Sequence, residues 1–139
     1  MIDKSTQTSN MEKIIIEGRP VAWARAGICK NRFFDRQSKE RQSFQWKLKR
    51  AFNKCPTEAA IVLSCIFSFA LPKNASKAKR MALLGTFHEG RPDVDNLAKF
   101  VNDAAQGILW CDDSQVVRLT VEKVWAEEDK TTICFEKAI

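Results

Sequence analysis

The chain has 139 residues, 45% of them hydrophobic and 29% charged, with 23 Lys and Arg against 17 Asp and Glu and a formal charge of +6. That length holds one domain with a real core and excludes two. There is no apolar run of the roughly 18 residues a membrane helix needs and no signal-peptide segment, and the basic excess favours a polyanionic partner.

Residues 1–12, polar through Ser5, Thr6, Gln7, Thr8 and Ser9, are expected to form a flexible leader, with one domain over 13–139. Ile14-Ile15-Ile16 reads as a first strand, ended by Gly18-Arg19-Pro20. Val21 to Phe34 reads as loop or weakly extended chain and carries Arg25, Lys30 and Arg32. Asp35 is a candidate cap for a helix over 36–52, with Phe44, Leu48, Ala51 and Phe52 as its apolar seam. Its other face holds Arg36, Lys39, Arg41, Lys47, Lys49 and Arg50. A solvated helix face usually mixes charge signs, so a surface turned to phosphates competes with that plainer reading.

Ala60 to Ala70 reads as a long core strand. Pro72-Lys73-Asn74 breaks it, and a basic segment with Lys77, Lys79 and Arg80 follows. After Pro92 the periodicity predicts a helix: Val94, Leu97, Ala98, Val101, Ala104, Ala105 and Ile108 share one face, and Asp95, Asn96, Lys99, Asn102, Asp103 and Gln106 the other. Gly107 weakens its last turn. Residues 115–125 alternate as a strand, and 132–135 form a last strand expected to pair with its predecessor. The resulting fold class is α+β: a mixed sheet of four or five strands with two or three helices packed on it.

Five scattered cysteines (Cys29, Cys55, Cys65, Cys111, Cys134) form no C-x-x-C pair, which points to reduced thiols in a cytoplasm. The densest chemistry lies at 91–115, where Asp93, Asp95, Asp112 and Asp113 gather with Lys99 inside a basic protein. Asp95 and Lys99 are one helical turn apart. If Asp112 and Asp113 return to the end of the helix that carries Asp93, three carboxylates converge and need a cation. Oxygen-only ligands suit Mg²⁺, with Mn²⁺ as a substitute. Each residue also has an ordinary use: Asp93 as an N-cap, Asp95 with Lys99 as an ion pair, Asp112-Asp113-Ser114 as a turn.

Arg91-Pro92-Asp93-Val94-Asp95-Asn96-Leu97, Lys99, Asp103 and the unbroken run from Gly107 to Val117 resemble the signature of RusA-type Holliday-junction resolvases. These are endodeoxyribonucleases commonly encoded by phages and prophages. Pro20 with Arg25, leading to Phe33-Phe34-Asp35, resembles the family's weaker N-terminal motif, although this loop is poorer in arginine and proline. The resemblance implies that Asp93, Asp95 and Asp113 are the metal ligands and that Lys99 is essential. It makes Asn96, Asp103, Asp112 and Gln115 accessory, with Asp103 fixing the lysine. It further implies a homodimer acting on four-way DNA junctions in a bacterial cytoplasm, in recombination and repair. Arg25, Lys30, Arg32, Lys77, Lys79, Arg80 and Arg91 are the expected DNA contacts.

The chain has no tyrosine, which excludes a covalent phosphotyrosine intermediate. The single histidine, His88, is expected to be an incidental loop residue more than a base. Trp110 and Trp125 are expected in a core or dimer interface. Trp23 and Trp46 lie in basic surroundings, and Phe33 and Phe34 are candidates for burial or for wedging a junction. D-x-D also serves nucleotide-sugar transferases, which need a larger chain, and aspartate-nucleophile phosphatases, which set it at the end of an apolar strand. A non-catalytic basic DNA-binding module is the remaining alternative.

Overall fold

A computed structural model describes residues 11–25, 27–29, 32–34 and 36–138. The expected leader up to residue 10, Lys30 and the cap candidate Asp35 lie outside the described residues, as do the side chains of Phe33 and Phe34. The fold class is α+β, as expected. A four-stranded sheet has the order β1-β6-β4-β5, from strands β1 (Glu12–Glu17), β4 (Ile61–Ala70), β5 (Val116–Ala126) and β6 (Lys130–Lys137). Strands β2 (Gly27–Cys29) and β3 (Arg32–Phe34) form a separate antiparallel hairpin inside the stretch read as loop. Three-residue strands are too short to display an alternating pattern. The helices among the described residues are α1 (Ser38–Ala51), α2 (Lys77–Leu83) and α3 (Val94–Ala105).

The core follows the apolar pattern. Strand β4 is flanked on both sides, parallel to β5 and antiparallel to β6, and its Ile61, Leu63, Cys65, Phe67 and Phe69 are all buried. A strand so enclosed reads as a near-continuous apolar run. Helix α1 buries Phe44 and Leu48 and sets Phe44 edge-on to Phe100 of α3, with ring centroids 5.5 Å apart. Ala51, assigned to the same seam, is exposed. Trp110 is fully buried; its indole N–H donates to Asn102 Oδ1 at 3.1 Å and its ring meets Phe135 edge-on. It is a core residue. Helix α3 ends where Gly107 takes φ = 85°, the left-handed conformation glycine accepts without penalty.

One pairing departs from expectation. β6 does not pair with β5, its neighbour in sequence, but enters between β1 and β4. The connection at 127–129 therefore crosses the end of β4. The crossing is fixed there: the Ala70 N–H donates to Asp129 Oδ1 at 2.8 Å, and the Leu71 N–H to the Ala126 carbonyl at 2.9 Å.

Strand β5 is an edge. Its second half is covered by residues 85–88, through bonds between Gly85 N–H and Trp125 O, Trp125 N–H and Thr86 O, and His88 N–H and Lys123 O. Among the described residues its first half has no such cover, and Val117 is 60% and Leu119 47% exposed. No helix among the described residues is long and apolar enough to cross a membrane.

Candidate active site

Helix α3 positions the principal residues. Asp93 occupies its N-cap in an extended conformation (φ −70°, ψ 142°), and its carbonyl accepts from the Leu97 N–H at 3.1 Å. Its side chain makes no capping hydrogen bond. An aspartate at this position normally turns its carboxylate onto a free N–H of the first turn; here the carboxylate is exposed and unspent. Asp95, in the first turn, is exposed as well. Both benefit from the positive end of the helix dipole.

The approach to α3 is held from β5. The Lys123 ammonium donates to the Pro92 carbonyl at 2.8 Å and to the Gly90 carbonyl at 2.5 Å. Just before it, His88 is buried, stacked on Phe69 and tilted against Trp125, each with a centroid separation of 4.4 Å. Its Nδ1 has no hydrogen-bond partner. Burial lowers its pKa from 6.5, and the Lys123 and Arg19 charges lower it further. His88 is a loop residue, as expected, but its buried ring is a packing group, and that burial disfavours the protonated form.

Asp113 is elsewhere. The far end of α3 leads through Gly107 to Trp110 and meets residues 57–59: the Thr57 N–H donates to Leu109 O, and Cys111 N–H to Thr57 O. There Asp112 and Gln115 close a capping box around the 3-10 turn Asp113–Gln115. Asp112 accepts from Ser114 N–H at 3.0 Å and from the Ser114 hydroxyl, and these bonds hold its carboxyl below the ordinary range. The Gln115 amide accepts from Asp112 N–H at 2.7 Å and donates to the Thr57 and Ala59 carbonyls at 2.8 and 2.9 Å. Asp112 and Gln115 thus shape the turn, and Asp113 is left exposed on it.

The expected convergence of Asp93, Asp95 and Asp113 does not occur within one chain. The 12 residues of α3 span about 18 Å, and the strand from Val116 back to Lys123 about 23 Å. A helix followed at once by a strand running back along it leaves the start of the strand at the wrong end of the helix. Among the described residues no group of three or more Asp, Glu, His or Cys is placed to hold a metal. One chain carries Asp93, Asp95 and Lys99 on the N-cap and first turns of α3, and Asp113 on the 3-10 turn beyond its far end.

Lys99 has an unexpected neighbour. Among the described residues it pairs with neither Asp95 nor Asp103, and its ammonium lies 3.6 Å from the centre of the Trp23 ring. Among the described residues no ion pair joins Asp103 to Lys99. Asn96 contributes its backbone carbonyl, which accepts the Trp23 N–H at 2.9 Å.

A sequence profile of the family described as Endodeoxyribonuclease RusA matches residues 17–136. The chain belongs to the RusA endodeoxyribonuclease family. It is also similar to the uncharacterized protein YqaN of Bacillus subtilis (strain 168), 41% identical over 61 residues, which is 43% of each chain. The matched segment thus spans less than half of that relative.

The family match encloses every expected site residue. Of the basic positions, Arg25, Arg32, Lys77, Lys79 and Arg91 are exposed. Arg80 is half-buried and donates to the Pro72 carbonyl at 2.9 Å, which makes it a brace for α2. Sequence reasoning missed Lys123, although it falls on the same face of β5 as Val121 and Trp125, both packed on the core. A lysine in an inward register needs an internal acceptor, and that was the available signal.

Proposed function

We propose that this chain is a metal-dependent, structure-selective endodeoxyribonuclease that resolves four-way DNA junctions as a homodimer, in recombination and repair in a bacterial cytoplasm. The family supports endonuclease chemistry, and the observation that carries the reading is the pair of exposed carboxylates, Asp93 and Asp95, beside Lys99 at the start of α3. All-oxygen donors fit Mg²⁺, or Mn²⁺ in its place, and Mg²⁺ commonly takes only one or two carboxylates, completing its shell with water and substrate phosphate. Asp93 and Asp95 would hold it, with Asp113 joining from a second copy because its own lies at the far end of α3. When bound, the ion supplies charge neutralisation at the phosphoryl group and an acidified water.

The chain's own residues do the rest. Lys99 presents a cation to the phosphate as a water oxygen bonds to phosphorus and the bridging P–O bond breaks. Arg25, Arg32, Lys77, Lys79 and Arg91 bind the DNA backbone and set its register without reading bases. Two subunits bring two such sites to opposed strands. The outer edge of the first half of β5, uncovered among the described residues and bearing Val117 and Leu119, offers apolar surface for a second copy.

The test is a nicking assay on a labelled synthetic four-way junction, with fork and linear duplex as controls. With Mg²⁺ the wild type cuts the junction in symmetric pairs, while Asp95→Asn binds it and leaves it whole. Equal rates from the two proteins would remove Asp95 from the site. A wild type that binds the junction and never cuts it, with Mg²⁺ or Mn²⁺, would leave the non-catalytic DNA-binding module.

A further inference from the structure

Aspartate four residues before lysine on a helix is a favourable arrangement for an ion pair, yet Asp95 and Lys99 do not form one. The competitor is Trp23, whose ring centre is 3.6 Å from the Lys99 ammonium. We propose that Trp23 is a positioning residue: its indole face keeps the Lys99 ammonium off Asp95, so that the carboxylate and the cation are both available to the substrate phosphate and its metal. This rests on the nuclease reading of Lys99 and Asp95 given above.

Trp23 is fixed from two sides. Its backbone N–H donates to the Asn96 carbonyl, in the first turn of the helix that carries Lys99. Its neighbours are clasped by the Gln37 amide at the start of α1, which donates to the Ala22 carbonyl at 2.5 Å and accepts from the Ala24 N–H at 2.8 Å. The side chain also packs against the core. The ring is therefore a rigid shelf, and the lysine on it is a flexible four-carbon stem that would otherwise sample many conformers. A cation on an aromatic face keeps its charge and its N–H donors, whereas a cation paired with a carboxylate has lost part of both. Holding it there in advance removes ordering cost when the phosphate arrives.

The test combines a spectroscopic reading with single-turnover cleavage of the four-way junction. In wild type the Lys99 ε-methylene resonance, assigned by its loss in Lys99→Arg, is shifted upfield by the indole ring. It moves to the position of the other lysines in Trp23→Leu and keeps part of its shift in Trp23→Phe. Cleavage slows about tenfold in Trp23→Leu, with junction affinity within about twofold, and recovers in Trp23→Phe. In a Lys99→Met background, Trp23→Leu causes no further loss. If Lys99→Met cuts at the wild-type rate, the nuclease role of Lys99 fails and this proposal falls with it. If Lys99→Met is slow but Trp23→Leu cuts like wild type, or the wild-type resonance is unshifted, the positioning role alone fails. The resonance and rate of Trp23→Phe decide the matter should Trp23→Leu not fold.

Discussion

His88 shows how an apolar setting decides what a titratable residue can do. Between Phe69 and Trp125, with Nδ1 unpartnered, the ring resists the proton it would take up freely in the unfolded chain. The folded pKa lies below 6.5, so under acidic conditions the unfolded chain binds more protons and folding stability falls as the pH drops below 6.5. Urea midpoints are expected to fall between about pH 7 and about pH 5 in wild type, and to fall less in His88→Phe. A parallel fall in both proteins would place the acid sensitivity elsewhere. Among the aspartates, Asp112 is committed to Ser114, while its neighbour Asp113 and the N-cap residue Asp93 are exposed.

At the scale of elements, the pattern of the chain revealed those segments whose burial repeats. α1, β4, α3 and β5 were legible because each is long enough to show a period of 3.6 or 2, and Asp93, Asp95 and Lys99 were legible as neighbours for the same reason. The β2–β3 hairpin was not, being three residues on each side. The place of β6 was not either, since it is fixed by Asp129 at the end of β4, some 60 positions away. Trp23 reaches Lys99 through folding alone. Gln115 joins the 3-10 turn to residues 57–59, and removing its amide strands the Ala59 carbonyl, leaves the Thr57 carbonyl with Cys111 N–H alone, and opens the capping box. Gln115→Ala is expected to cost about 1–3 kcal/mol in denaturant unfolding and to slow cleavage by loosening the turn that carries Asp113. Unchanged unfolding would show that water replaces the amide there.

For the whole molecule, the length of α3 is the decisive quantity, because it parts Asp113 from the other two acids of its own chain. If a second copy supplies Asp113, two inactive proteins can rescue one another. In a co-refolded mixture of Asp95→Asn and Asp113→Asn, about half the dimers are mixed, and each of these keeps one site with both wild-type acids. The expected product is single, unpaired nicks; no rescue would assign all three acids to one subunit. The net charge of +6 also overstates what is offered to DNA, since several cations are turned onto the protein's own carbonyls: Lys47 onto Glu17, Arg80 onto Pro72, Lys123 onto Gly90 and Pro92.

The Lys123 contact has a consequence of its own. Its ammonium stands at the threshold of the acid-bearing helix, yet it points at main-chain oxygens, so it ties down the loop without acting as a built-in counter-ion for Asp93. Lys123→Met would let the loop swing while leaving the two carboxylates uncovered, and the ion proposed to lie between them would meet no rival in Lys123.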